Sequence, residues 1–181
     1  MLHLKNITAG NPKTAEQYQM TKKYDVTWLF SEDDKNWYEE LKNFASDTIK
    51  IAYTGDGRVV WVGKDVTGIE PRNSSVIEVP DITANRRITV PGYWFYRDDK
   101  FVFDYKLKAE DERDALLKQV SIMTIEWEKD LLLGLISDED REKLKAYRIY
   151  AKSLQAMDFS PITDKASYNA IEWPVSPEAS S

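Results

Sequence analysis

A single histidine, His3, and no cysteine stand in 181 residues. That pair of facts removes most side-chain chemistry. A nucleophile relay needs a histidine held between a hydroxyl or thiol and an acid. His3 lies near the start of the chain, where an incidental role is the expectation. Without cysteine there is no disulfide scaffold, no thiolate metal site and no thiol nucleophile. Gly57 to Lys64 has the outline of a phosphate loop but departs from it. Five residues separate Gly57 from Gly63 where the loop has four, and no Ser or Thr follows Lys64. The intervening Val59-Val60-Trp61-Val62 reads as a strand, which would not offer a cradle of backbone amides. Acidic clusters occur at Glu32-Asp33-Asp34, Glu110-Asp111-Glu112 and Asp138-Glu139-Asp140. None has calcium-loop spacing. The last two fall at expected helix starts, where carboxylates complement the helix dipole. Glu126 and Asp130 lie about one helical turn apart, as acids on exposed helix faces commonly do. The expectation is no catalytic residue, no cofactor and no metal.

Binding is the remaining chemistry. The formal net charge of −6 argues against nucleic acid, because a phosphate-binding face must be basic. The longest apolar run, Leu131 to Ile136, falls far short of the roughly 20 residues that span a bilayer. Met1 to Lys5 shows no apolar core of signal-peptide length, so the sequons at Asn6 and Asn73 carry no expectation of glycosylation. What stands out is rings: six Trp and ten Tyr, with aromatics at 12% of the chain. That is more than a small β-rich domain and one pair of helices can easily bury, and aromatic side chains dominate interface energetics. The candidate partner-binding residues are Tyr93, Trp94, Tyr96, Trp127, Tyr147, Tyr150 and Trp173. For each one singly, a place in the core is the better expectation. Together they point to a protein interface.

The elements that must position these rings divide the chain in two. Up to about residue 105, β-branched and aromatic runs alternate with turn signals. Val26 to Phe30 reads as a strand, with Trp37-Tyr38 beginning its partner. Ile49 to Tyr53 and Arg58 to Val62 flank Asp56-Gly57 as a hairpin. Val76 to Val79 is a further strand. Tyr93 to Tyr96 and Phe101 to Tyr105 flank a second hairpin turn. The polar stretches 63–75 and 80–92 read as long connections. From about residue 107 the period changes. Leu116, Val120, Met123, Trp127 and Leu131 mark one face of a helix that Gly134 stops. Ser137 caps a second helix whose seam is Leu144, Tyr147, Ala151 and Leu154. Joined by so few residues, the two form an antiparallel hairpin. The expected fold class is α+β, a small antiparallel β-rich domain over 1–105 followed by a helical hairpin over 106–177. Pro174 and Pro177 hold the end extended, and 178–181 is expected to be a disordered tail.

Beyond these patterns, Leu4-Lys5-Asn6-Ile7-Thr8-Ala9-Gly10-Asn11-Pro12 through Tyr18 resembles the opening of tail fibre assembly proteins of lambdoid and Mu-like phages and prophages. Trp28 with Asp33 to Glu39, and Val79-Pro80-Asp81-Ile82 through Arg87, continue the resemblance. So does the close on Ile171-Glu172-Trp173-Pro174. Residues 88–106 fit the pattern loosely. The resemblance implies a non-enzymatic chaperone that helps a cognate tail fibre protein fold and trimerise. Some members of the family stay at the fibre tip. It implies action in the host bacterial cytoplasm, with the virion as a second location. A second copy of the chain and a host surface glycan are the other candidate partners.

Overall fold

A computed structural model of the protein describes residues 1–180. It resolves into two compact units, Met1–Phe103 and Asp104–Ser181. The architecture is α+β: an N-terminal antiparallel sheet with a small satellite hairpin, then a C-terminal helical hairpin.

The first unit is built on five strands: β1 (His3–Gly10), β2 (Trp28–Phe30), β3 (Thr48–Thr54), β4 (Val59–Gly63) and β5 (Ser74–Pro80). Their order across the sheet is β2-β1-β5-β3-β4, antiparallel throughout. Side chains alternate faces along a strand, and both faces of this sheet are covered. On one face Leu4, Ile7, Leu29, Trp37, Ala52 and Val76 form a core. On the other Ile49, Ile51, Val59, Val79 and Ile88 pack with Trp94 and Phe101. β3 is therefore buried almost along its whole length, including Lys50, which is 1% exposed. The Lys50 ammonium donates to the carbonyls of Ala45 and Thr48. Across the strand pair, the buried Glu78 carboxylate accepts from the Leu2 and Ala45 amides and the Thr48 hydroxyl. Burial alone would raise Glu78; these donors outweigh it and hold the carboxyl below its ordinary value.

Two helices interrupt the strands, α1 (Ala15–Tyr24) and α2 (Trp37–Glu40). Trp37-Tyr38 therefore opens a helix rather than a strand. Asn36 caps it by accepting from the Tyr38 amide, which turns the chain so that Trp37 is only 1% exposed. The connection at 80–92 contains the short helix α3 (Thr83–Arg86). β6 (Trp94–Arg97) and β7 (Lys100–Phe103) then form the satellite hairpin. Its two-residue turn is Asp98-Asp99, both at positive φ (50° and 58°), the geometry that suits the right-handed twist of a tight hairpin.

The second unit is led by α4 (Tyr105–Leu133) and α5 (Asp138–Gln155). Asp104 caps α4 by accepting from the Leu107 amide. The helix thus begins earlier than its apolar period indicates. Tyr105 belongs to it, and Glu110 to Glu112 sit in its second turn instead of its first. Gly134 ends it at φ 70°, and Ser137 caps α5 by accepting from the Asp140 amide. Val120, Tyr147, Tyr150 and Leu154 form the seam. A third helix, α6 (Lys165–Asn169), is closed by an Asp164–Ser167 capping box. The chain from Ile171 carries no regular structure until a 3-10 turn at Pro177–Ser180, and Ser181 lies outside the described residues.

Candidate partner interface

Among the described residues no group of three or more His, Asp or Glu is placed to hold a metal ion, and no helix is long and apolar enough to cross a membrane. The concave features combine aliphatic side chains with charged ones, and some add rings, a lining suited to binding.

In the first unit, β6 is tied to the sheet by the Tyr96 amide, which donates to the Gly57 carbonyl at 2.7 Å. An Arg58–Phe95 bridge adds to it. Gly57 makes that approach possible. Its φ is +88°, and a Cβ there would collide with the Tyr96 carbonyl oxygen. The result is a ring cluster. Tyr96 lies 4.7 Å from Tyr53, 5.0 Å from Phe101 and 5.6 Å from His3, centroid to centroid. The His3 Nε2 is 2.7 Å from the Tyr53 hydroxyl, and the Tyr96 hydroxyl donates to Asp99 at 3.1 Å. His3 is thus fixed in β1, opposite Ile77 of β5, and is no loose terminal group. Burial raises the Tyr96 phenol to about 12, with the Asp99 carboxylate and Tyr53 adding to it. Burial lowers His3, assisted by the charge of Lys5. Neutral rings and a satisfied carboxylate suit stacking and hydrogen bonding.

Beside this cluster opens a cleft of about 710 Å³, lined among others by Arg87, Ile88, Trp94, Tyr96 and Phe101. Trp94 packs edge-on against Phe103 at 5.3 Å, and Tyr93 does so at 6.0 Å. Of the seven aromatics singled out from sequence, the satellite hairpin and its lead-in bring together Tyr93, Trp94 and Tyr96, each half-buried.

The other four lie in the second unit. Tyr147 and Tyr150 are 5% and 8% exposed and pack the seam between α4 and α5. They are core residues of the helical hairpin. Trp127 packs at a tilt against Tyr147 at 5.9 Å, and Trp173 against Phe159 at 5.7 Å; both are half-buried. The large exposed apolar side chains of this unit are aliphatic instead: Leu132 at 86%, Leu133 and Leu135 at 71% each, and Ile122 at 64%. The ring surplus read from composition is thus absorbed only in part into the cores and the cleft: Tyr18, Tyr24 and Tyr38 of the first unit stand exposed at 50%, 62% and 41%. The leucine run at 131–135 went unread as a surface, although three successive leucines cannot all face the inside of one helix.

The family described as "Caudovirales tail fibre assembly protein, lambda gpK" matches residues 39–178. Tail fiber assembly protein U' of Escherichia phage Mu is 46% identical over 171 residues, covering 90% of this chain and 97% of the relative. Tail fiber assembly protein U of the same phage is 40% identical over 184 residues, covering 98% of this chain and all of the relative. A probable tail fiber assembly protein of Escherichia phage P2 is 43% identical over 164 residues, covering 87% and 94%.

Proposed function

Because this chain belongs to the Caudovirales tail fibre assembly family, we propose that it binds the C-terminal region of a cognate phage tail fibre and promotes that fibre's folding and trimerisation. The family is one of assembly proteins, not of enzymes, and its members' names supply the fibre as partner. The observation that carries the reading is the cleft beside Trp94. It is a concave, ring-lined surface in a chain that aligns almost end to end with relatives named for fibre assembly. Intertwined β trimers present unpaired strand edges and many long-range pairings, so they fold slowly and aggregate readily. A protein that shields such a chain end needs apolar, ring-bearing surface and no reactive group. Tyr93, Trp94 and Tyr96 are the foremost contact residues of this reading, with Trp127 and Trp173 next. The site of action is the host bacterial cytoplasm, where fibres are made.

Co-expression with the neighbouring fibre gene tests it. SDS-resistant fibre trimers should form with this chain and fail without it. Trp94→Ala should weaken fibre capture by about 2 kcal/mol, the scale of an aromatic hot spot. Trimers that form equally well in its absence remove the proposal.

A second reading follows from polar groups around the same cleft. Asn85, Arg87, Asp99 and Lys100 stand near Trp94, an arrangement that suits stacking on a sugar ring with hydrogen bonds to its hydroxyls. In that reading the protein stays at the fibre tip and binds a host surface glycan. Purified particles that contain the chain, and glycan binding by the chain alone, would favour it.

A further inference from the structure

We infer that the cleft beside Trp94 selects its occupant by charge: it takes an extended segment of the fibre chain in which acidic side chains flank an apolar one, and Arg87 and Lys100 receive the carboxylates. The inference rests on the fibre-binding reading and adds to it the chemistry of the segment bound.

The lining of the cleft is largely apolar, with Ile77, Val79, Ile88, Trp94 and Phe101 in it. Its charged groups stand in two unequal states. Both carboxylates are already engaged by this chain. Glu78 accepts from the Leu2 and Ala45 amides and the Thr48 hydroxyl. Asp99 accepts from the Tyr96 hydroxyl. Neither cation is engaged. Among the described residues, the exposed side chains of Arg87 and Lys100 make no ion pair and no hydrogen bond. The residue before Arg87 gives the contrast. Arg86 bonds to Asp81 at 2.6 Å, and Lys64 pairs with the same carboxylate at 2.6 Å. At the end of α3, one arginine is closed on an acid of its own chain and the next is left open at the cleft.

An occupant that fills the cleft takes water from both open cations. A donor that loses water needs an acceptor in return, and a carboxylate gives the strongest bond. The two positive charges stand on different elements, Arg87 after α3 and Lys100 at the start of β7. A chain terminus supplies one negative charge. A segment with an acid on each flank of its apolar anchor supplies two, and so balances both. The anchor fills the space beside Trp94 and Phe101, while the flanking charges decide which segment is accepted.

Fibre capture by the full-length chain is measured first, because a wild type that captures no fibre removes the fibre-binding reading together with the inference. Given capture, Arg87→Gln with Lys100→Gln should weaken affinity about threefold to tenfold and flatten its dependence on salt. Arg87→Glu with Lys100→Glu should weaken it by more than about tenfold. Circular dichroism should stay unchanged, since both side chains are already in solvent. Lys22→Gln with Lys23→Gln, on α1 and outside the cleft, should leave affinity and salt dependence as they were. Exchanging acidic residues for lysine in the fibre's C-terminal region should impair capture by the wild type and restore it for the Glu variant. Unaltered affinity and salt dependence in the Gln variant overturn the inference and leave the fibre-binding reading in place. Capture that is lost when a glycine-serine extension displaces the fibre's terminal carboxylate also overturns it, and assigns the two cations to the chain end instead.

Discussion

His3 shows how far a residue's setting can depart from its place in the chain. Its ring is pinned between Tyr53 and Tyr96, and its pKa lies below the ordinary 6.5. Burial is the first cause and the Lys5 charge the second, with Asp99 and Glu32 pulling the other way. The folded chain prefers the neutral ring, so the unfolded chain binds the proton more tightly. The stability from this group is complete above 6.5 and is lost as pH falls toward and through the folded value. Glu78 and Asp56, both held below their ordinary values, titrate beneath that window. The urea midpoint of the first unit should therefore fall as pH drops below 6.5. In His3→Gln the fall over this interval should disappear. Parallel pH curves for the two proteins would show that the ring's protonation is not linked to folding.

At the scale of elements, the satellite hairpin depends on one backbone position. Gly57 holds a positive φ and lets the Tyr96 peptide approach the turn between β3 and β4. Gly57→Ala adds backbone strain and a clash together, a cost of about 1–3 kcal/mol. Faster deuterium exchange at the Tyr96 amide should accompany it, because that amide bonds to Gly57. Unchanged stability and exchange would mean that the hairpin docks by its side chains alone. The Asp56-Gly57 pair and the β-branched runs around it were legible in the sequence because turn chemistry and period 2 agree there. β1 was not, because five of its eight residues are exposed and its bulge puts Asn6 at φ 48°. Nor was α1, whose ten residues include a single buried side chain, Gln17, so no apolar period marks it. The α4–α5 seam was legible because Val120, Leu144 and Leu154 keep a helical spacing. Which aromatics face a cleft was not, since ring exposure is set by docking between elements distant in sequence. Tyr147 and Tyr150 have the composition of an interface and the position of a core.

At the scale of the whole molecule, each unit has its own apolar core. Leu4, Ile7, Ile51 and Val76 have no exposure in the first, nor has Leu154 in the second. A core of its own is what allows a unit to fold as a domain. We propose on that ground that the chain has two folding domains, divided close to Asp104. Deleting a fully buried leucine leaves a cavity and costs about 2–5 kcal/mol. If each unit is a domain, that loss stays within the unit that bears it. Leu154→Ala should lower the urea midpoint reported by exchange-protected amides of α4 and α5 and leave those of β3 and β5 where they were. Leu4→Ala should do the reverse. A drop of equal size in both sets of amides, from either substitution, would make the 181 residues one cooperative fold, and the same experiment would then place the boundary of stability at the chain ends and not at Asp104.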